Sequence, residues 1–454
     1  MYHPFYKLSE ATESSEAGEI VERIKSFVVE GLFHKARHEI QFSKHSPVTI
    51  IAGPNGIGKT HILKLMHAAL TVDVTTLASS PFDRLDIAFA NGRRIGVLKG
   101  EDEDGDPELI YEGFGPRGGK AGKITLPVEL FTTPDDDRHS YIRVSTGVWM
   151  NRRTGETLPR GVVPPPRFRH PSTQGITFLE ERINEEWIAP LLKQGKPILI
   201  DTKRLDTLPT HNPRAANDSP STATSRIYEY IEQVKVQVSD ARRASLLESQ
   251  AADQTFANRV LRRSNKTIPE NELKKRYEEI AERHAELYRS GLSAGTVEVE
   301  FPSSGVDATE RRILTVFLND WAKKLEPFRA VNDKLTALRR IVNGKFLDKE
   351  LKLDKSGALA FTSTIDQSDI PVKALSSGEQ HILALFTMLL FSAEPASLVL
   401  IDEPEISLHA AWKHDFLTDI SEVARIADLQ VILATHSSAI INGQWDLVRE
   451  LGVG

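Results

Sequence analysis

The stretch "PVTIIAGPNGIGKTHILKLMHAAL", residues 47–70, decides the fold. Its first residues form an apolar run that predicts a buried strand, and "HILKLMHAAL" has the apolar spacing of an amphipathic helix. The residues between them satisfy the pattern G-x-x-x-x-G-K-[ST] with Gly53, Gly58, Lys59 and Thr60. A strand, a glycine-rich loop and a helix in this order predict a phosphate-binding loop.

Each residue type in this loop has a chemical reason. Glycines allow backbone N–H groups to surround phosphate oxygens, and we expect Asn55 and Gly56 to contribute to the same cradle. Lys59 is expected to reach the β- and γ-phosphates, while the hydroxyl of Thr60 would bind Mg²⁺. The sequence therefore predicts a site for ATP and Mg²⁺.

Two apolar runs near the other end of the chain bring polar residues to strand ends. In "LVLIDEPE", residues 398–405, four apolar residues precede Asp402, which predicts a second Mg²⁺ ligand beside the loop. Glu403 follows directly and is placed to orient or deprotonate an attacking water. In "VILATHSS", residues 431–438, His436 ends the next apolar run and is predicted to contact the γ-phosphate.

A second anion-binding pattern lies in "KALSSGEQHILALF", residues 373–386. Ser376, Ser377 and Gly378 precede an apolar-periodic helix, whose N-terminal N–H groups favour an anion. A second nucleotide site within one chain would need its own lysine and Mg²⁺ ligand. We therefore expect this hook to hold the γ-phosphate in the loop of another copy, so that a two-fold dimer forms with ATP and loosens after hydrolysis.

The rest of the chain divides into three parts. Residues 31–42 and 47–53 are predicted as strands, and residues 85–98 as a hairpin around Asn91-Gly92. Residues 162–171 and 208–224 have the composition of linkers, and helical periodicity then runs to about residue 343. The predicted domains are 1–224, 225–345 and 346–454. The predicted fold class is α/β, with a parallel core sheet, an N-terminal antiparallel subdomain and a helical insertion.

Composition excludes several classes of protein. The 454 residues contain no cysteine, which excludes disulfides and thiolate metal sites. No stretch has the roughly 18 consecutive apolar residues of a membrane span, and no signal peptide is evident, so we expect a cytoplasmic protein. The net charge of −6 means that any nucleic-acid binding must come from a local basic patch.

The order of the loop, "LSSGEQ", "LIDEPE" and "ATH" resembles that of the ABC-type ATPases of the SMC/RecF/OLD branch. "GLFHKARHEIQF", "PILIDTKRL", "LESQAADQTF" and "EPEISLH" further resemble stand-alone ATPases of bacterial anti-phage systems, namely OLD-like, PARIS-type and Septu or retron-associated proteins. The resemblance implies a P-loop NTPase with an ABC-type ATPase head.

The resemblance also implies residue roles. It makes Glu403 the catalytic base, His436 the switch histidine, and Ser376 and Gly378 γ-phosphate contacts in the partner's site. Ser407 and His409 fall in the loop that crosses to the partner. Two further family positions have only candidates here, Gln174 for the Mg²⁺-linked glutamine and Arg37 or His38 for adenine.

The family implies partners as well. We expect a homo-oligomer, as dimeric ATPase units or a larger ring, that senses a phage trigger protein and controls a separate toxic effector. That effector would be a nuclease such as a TOPRIM or HNH protein, since the chain ends at Gly454, shortly after His436. The short insertion and the lack of cysteine exclude a long coiled-coil arm and a zinc hook.

The alternative function is a RecF- or SMC-like DNA-repair ATPase that clamps DNA. Arginine and lysine concentrate in the insertion, in "DARRA", "VLRRSNK", "LKKRY" and "ALRR". Neighbouring glutamates, as in "YEEIAERHAE", favour a solvated helix face over a DNA groove. A transport or metabolic ATPase is a third possibility. The sequence shows no membrane segment that would support transport, and a simple metabolic kinase would not need the second hook.

Overall fold

The computed structural model describes residues 23–33, 36–43, 45–131, 141–145, 148–151, 178, 182, 187–188, 196–201, 221–261, 268–293, 295, 301–302, 305–406 and 408–451. Its centre is a five-stranded parallel sheet in the order β10–β14–β15–β3–β16. These strands are β3 (Val48–Ala52), β10 (Ile198–Asp201), β14 (Leu398–Asp402), β15 (Gln430–Ala434) and β16 (Val448–Glu450). Because all five run the same way, their carboxyl ends meet at one edge.

A six-stranded antiparallel sheet lies beside it, in the order β2–β1–β4–β5–β6–β7. Its strands are β1 (Ile24–Leu32), β2 (Ala36–Gln41), β4 (Arg84–Phe89), β5 (Arg94–Glu101), β6 (Pro107–Phe114) and β7 (Lys120–Pro127). The predicted hairpin is confirmed as β4 and β5, with Gly92 at a positive φ of 87° in the turn. Residues 31–42 are not one strand as predicted, since the chain turns after Leu32, where Phe33 has a φ of 54°.

Nine helices account for most of the remaining described residues. They are α1 (Lys59–Thr71), α2 (Val74–Ser79), α3 (Ser221–Leu261), α4 (Glu270–Arg289), α5 (Ala308–Leu325), α6 (Arg329–Lys345), α7 (Ser377–Thr387), α8 (Lys413–Ile426) and α9 (Ser438–Ile441). The shorter strands are β8 (Tyr141–Ser145), β9 (Val148–Asn151), β11 (Lys349–Leu353), β12 (Leu359–Ser363) and β13 (Asp369–Ile370). α3 starts at Ser221, so the end of the predicted linker is helical; the rest of that linker and residues 162–171 lie outside the described residues.

The parallel sheet separates two hydrophobic cores. Side chains alternate along a strand, so Ile50, Val399 and Leu433 face one core while Ile51, Leu400 and Ile432 face the other. The first core holds the buried faces of α3, α6, α7 and α8. The second holds α1, α2 and the antiparallel sheet. The helices that follow the two predicted anion-binding patterns, α1 and α7, therefore lie on opposite faces of the sheet.

The helical insertion is packed onto the head. The face of α3 predicted from the sequence is buried in the first core, and the side-chain amide of Gln237 donates to the backbone oxygen of Phe391 at 2.7 Å. Phe391 belongs to a π-helix, Met388–Ser392, that continues α7. His284 packs edge-on against Trp321, and burial lowers its pKa.

These elements confirm the predicted fold class, a P-loop NTPase with an ABC-type head. The boundaries proposed for the three domains remain a prediction. Among the described residues, no helix combines the length and the apolar character needed to cross a membrane.

We expect Asp419→Asn to cost about 3–5 kcal/mol of unfolding free energy, because it breaks a buried ion pair. The side chain of Asp419 is 2% exposed and bridges Lys345 and Arg340 of α6. Without that charge, Lys345, itself 6% exposed, stays buried and uncompensated. Urea unfolding followed by circular dichroism measures the change. Glu422→Gln is the control, since this carboxylate pairs with Arg340 at the surface; equal losses in both variants would contradict the prediction.

Candidate nucleotide-binding site

The phosphate-binding loop connects β3 to α1. Gly56 and Gly58 have positive φ angles of 85° and 104°, and a Cβ on Gly58 would lie 2.8 Å from Cδ2 of Leu32, so only glycine fits there. Pro54, Asn55 and Gly56 are exposed at the tip. α1 begins without a side-chain cap and without an acidic residue in its first turn, which leaves its N-terminal end suited to an anion.

Lys59 lies inside this loop. Its ammonium donates to the backbone oxygens of Gly53 at 2.8 Å and Pro54 at 3.2 Å, and the residue is 6% exposed. A cation held by two carbonyls of a glycine-rich loop is placed to meet phosphate oxygens.

Thr60 and Asp402 come together from distant parts of the sequence. The hydroxyl of Thr60 donates to Oδ2 of Asp402 at 2.8 Å, and Asp402 is 8% exposed at the carboxyl end of β14. Two oxygens on neighbouring positions of an octahedral Mg²⁺ with bonds of about 2.1 Å lie about 3.0 Å apart. The pair therefore fits Mg²⁺. No cluster of three or more acidic or histidine ligands occurs in the described part of the chain, so the other ligands would come from phosphate and water.

Glu403 and His436 lie next to each other after β14 and β15. Glu403 has a positive φ of 44°, unusual for a residue with a side chain, and its N–H donates to the backbone oxygen of Ala434 at 2.8 Å. Nδ1 of His436 is 3.9 Å from Oε1 of Glu403, and the His436 side chain is 48% exposed. The two predicted catalytic residues thus share the edge of the sheet that carries Asp402.

A third carboxylate, Glu405, was not among the predicted site residues. Its side chain is 6% exposed, and its Oε1 lies 3.1 Å from Nδ1 of His436. The same oxygen accepts hydrogen bonds from the hydroxyl of Thr435 at 2.7 Å and the backbone N–H of His436 at 3.2 Å. The signal was present in "EPEISLH", where a second glutamate follows the strand two residues after the first.

The second predicted anion hook forms the start of α7. Ser376 is its N-cap, and Glu379 completes a capping box by accepting from the backbone N–H of Ser376 at 2.7 Å. Nζ of Lys349 on β11 donates a hydrogen bond to Oε1 of Glu379 at 2.6 Å. Ser376 and Ser377 are exposed, and a Cβ on Gly378 would lie 3.5 Å from the Trp412 ring. The hook is rigid and faces outward.

The hook and the phosphate-binding loop do not form one site within the chain. The buried residues of α7 pack into the first core with Val399 and Ile401, whereas those of α1 pack into the second core with Leu398 and Leu400. The sheet lies between them. The remaining predicted site residues are all brought to one edge of the sheet.

An aromatic residue that the sequence analysis did not name, Phe33, also lies near the loop. The ring of Phe33 packs edge-on against the ring of His61 of α1, with 4.9 Å between the ring centroids, and Phe33 is 40% exposed. Burial and the nearby Lys64 lower the pKa of His61. The two adenine candidates lie on β2, where His38 is buried at 4% and Arg37 is paired with Glu30 at the surface.

Three positions named from the family resemblance remain. Gln174 and Ser407 lie outside the described residues. Nδ1 of His409 accepts a hydrogen bond from the backbone N–H of Ala411 at 3.4 Å. The ring packs against Trp412 beside the hook, with 5.6 Å between the ring centroids.

We expect Lys349→Met to cost most stability at neutral pH and less in mild acid. Burial favours a raised pKa for Glu379, but the hydrogen bonds from Lys349 and Ser376 prevail and lower it. A lowered pKa stabilises the folded protein above the unfolded value of about 4.3, and that stability is lost as the pH falls through the folded value. Without Lys349, burial dominates and raises the pKa of Glu379, so the charged carboxylate destabilises the folded variant at neutral pH. This deficit relative to the wild type narrows as the pH falls and Glu379 gains a proton. Melting temperatures from neutral pH to about pH 4 measure this, with Lys352→Met as the control; parallel profiles would contradict it.

Known proteins are similar to parts or to most of this chain. The cytochrome c biogenesis ATP-binding export protein CcmA of Aromatoleum aromaticum is 33% identical over 115 residues, covering 24% of this chain and 51% of that protein. The chain thus spans about half the length of this curated relative. SMC head domains from Pyrococcus furiosus and Thermotoga maritima align at 15% and 11% identity. The alignments cover 92% and 94% of this chain and 91% and 94% of those chains, with TM-scores of 0.35 and 0.30.

A family model described as "AAA domain, putative AbiEii toxin, Type IV TA system" matches residues 171–442. The matched range is more than half of the chain. It contains the hook at Ser376, both carboxylates after β14, and His436, and the phosphate-binding loop precedes it. The chain is a member of this AAA family, which belongs among the ABC-type ATPases.

Proposed function

We propose that this chain hydrolyses ATP at sites shared between two copies, and that it acts as a sensor and scaffold for a separate toxic effector in bacterial anti-phage defence. One observation carries the shared site: the hook on α7 and the loop before α1 lie on opposite faces of the parallel sheet. Each hook can therefore complete only the loop of another copy.

The residues at the sheet edge would divide the chemistry. The loop and Lys59 would bind and orient the phosphates, and Glu403 would take a proton from the attacking water. Mg²⁺ held at Thr60 and Asp402 would neutralise charge on the phosphates. Ser376 and the N–H groups of α7 from the second copy would exclude water and hold the γ-phosphate, so turnover would follow dimerisation. Phe33 would supply a face for the adenine ring.

The effector part of the proposal rests on two observations. The family description contains the words toxin and TA system, which fit a protein that works with a toxic activity. The described insertion helices α3 to α6 lie outside the nucleotide site, which leaves their outer surface for a partner. Leu246, Leu247 and Tyr288 are exposed on it, at 58%, 57% and 48%.

The DNA clamp receives less support from the structure. Several arginines that suggested a basic face have intramolecular partners: Arg242 donates to the backbone oxygens of Gly291 and Leu292, and Arg339 to that of Ser290. They stabilise the C-terminal end of α4. Arg259 pairs with Asp320.

Native mass spectrometry of tagged Glu403→Gln protein, expressed with its neighbouring genes and purified with ATP and Mg²⁺, tests the proposal. A symmetric oligomer that carries a second polypeptide is expected, and that polypeptide should be toxic when expressed alone. A dimer that gains mass only when DNA is added would replace the effector scaffold with the DNA clamp. A monomer with bound ATP would overturn the shared site.

A further inference from the structure

We propose that Glu405 is a positioning residue that holds His436 as its Nδ1–H tautomer, so that Nε2 is the only ring nitrogen presented to the γ-phosphate. The inference deepens the proposed function and rests on it for the role of His436. Glu405 itself would touch neither nucleotide nor water.

The geometry gives Glu405 priority over Glu403 as the partner of the ring. Nδ1 of His436 lies 3.1 Å from Oε1 of Glu405 but 3.9 Å from Oε1 of Glu403. The shorter distance brings Nδ1 close to the oxygen of Glu405, whereas Glu403 lies at the limit of an ion-pair contact. A carboxylate oxygen accepts and cannot donate, so a lone pair on Nδ1 would repel it at this distance, and a proton on Nδ1 is favoured. These two carboxylates are the charged groups recorded next to the ring.

The carboxylate is itself held in place. Thr435 is fully buried, and its hydroxyl donates to Oε1 of Glu405 at 2.7 Å, while the backbone N–H of His436 donates to the same oxygen. The other oxygen, Oε2, is buried without a hydrogen-bond partner in the described part of the chain. Burying Oε2 without a partner costs free energy. The contacts of Oε1, including the one with the His436 ring, therefore offset that cost and hold the carboxylate in place.

The tautomer decides what His436 can do. In a neutral ring with the proton on Nδ1, Nε2 carries a lone pair and repels a phosphate oxygen. When the ring gains a second proton, Nε2–H becomes a charge-assisted donor to that oxygen. Glu405 would thus make His436 a donor only in its charged form. A ring without this partner could donate from Nε2 while neutral.

Nitrogen NMR on protein with ¹⁵N-labelled histidine tests the tautomer directly and without nucleotide. The chain has 14 histidines, and His436→Asn identifies the signal. At alkaline pH the Nδ1 of His436 is expected in the protonated range and Nε2 in the unprotonated range. The opposite pattern in the wild-type protein would overturn the proposal, whatever any variant does.

Three variants separate positioning from a structural role. Glu405→Leu should move the proton to Nε2, and Glu405→Gln, which keeps an acceptor oxygen, should restore Nδ1–H. Thr435→Val removes a bond to the same carboxylate oxygen but leaves the ring contact, and should keep the wild-type pattern. An unchanged His436 signal in folded Glu405→Leu would overturn the proposal.

Turnover then distinguishes this inference from the proposed function. Glu405→Leu should lower kcat for ATP with little change in KM, because the neutral Nε2–H of the freed ring is a weaker donor than the charged Nε2–H that Glu405 supports. The expected loss is about 10-fold or more, a scale known for orienting partners of metal-bound histidines. Glu405→Gln should recover most of the loss. A switched tautomer with normal kcat would show that Glu405 positions the ring but that His436 has no part in hydrolysis. A protein that hydrolyses no ATP, yet shows the Nδ1–H ring, would contradict the proposed function alone.

Discussion

Glu403→Gln is expected to lower the rate of ATP hydrolysis by about 10²- to 10⁴-fold, the usual contribution of a general base. The amide keeps the shape of the carboxylate but cannot take a proton from water. ATP binding should persist, because Lys59, Thr60 and the loop are unchanged. Since the second copy is held by intact ATP, the variant should accumulate as an ATP-bound dimer.

Phosphate release and size-exclusion chromatography with light scattering measure the two effects on the same sample. Glu394→Gln is the matched control, as it makes the same change at an exposed position before β14. A variant that hydrolyses ATP at the wild-type rate would remove Glu403 from the chemistry. A variant that is slow but monomeric would separate hydrolysis from dimerisation.

Ser376→Arg and Lys59→Ala are each expected to abolish hydrolysis, but for different reasons. Lys59→Ala removes the cation inside the loop and should abolish nucleotide binding. Ser376→Arg places a bulky side chain at the exposed start of α7, on the other face of the sheet, and should leave ATP binding intact. In a dimer of one copy of each, the loop of the Ser376→Arg copy meets the intact hook of the Lys59→Ala copy.

Mixing the two inactive proteins should therefore restore activity. With random pairing, half of the dimers are mixed and each contains one intact site, which gives about a quarter of the wild-type number of sites. Ser392→Arg, exposed at the end of the π-helix, is the control for surface bulk. If the mixture stays inactive, or if Ser376→Arg hydrolyses ATP as a monomer, the hook does not act on the partner's nucleotide.

The features that the sequence predicts well are those with local causes. Glycines at special φ angles, an apolar strand and a following helix identify the loop from residues 47–70 alone. The helical character of residues up to about 343 follows from their apolar period. Each depends on neighbours within a few residues.

The features that were missed depend on distant partners. Glu405 gains its role from Thr435 and His436, which lie 30 and 31 residues further on and meet it only when β14 and β15 pair. Lys349 holds the carboxylate of Glu379, which lies 30 residues further along the chain. From composition, Arg242 and Arg339 suggested a charged surface. Composition cannot show that both side chains donate hydrogen bonds to the backbone at the C-terminal end of α4.

The contact between Thr60 and Asp402 joins residues that are 342 positions apart in the chain. At a synthesis rate of about 5–20 residues per second, the ribosome needs roughly 20–70 s to cover that distance. β3 pairs with β15 and β16, so during this interval it lacks both neighbours, whereas β1, β2 and β4 to β7 can already pair. The antiparallel sheet can thus form early on the ribosome, and the nucleotide pocket can close only after Asp402 and β15 have emerged. A nascent chain would be unable to bind ATP, and nucleotide binding would be the last property that the new protein acquires.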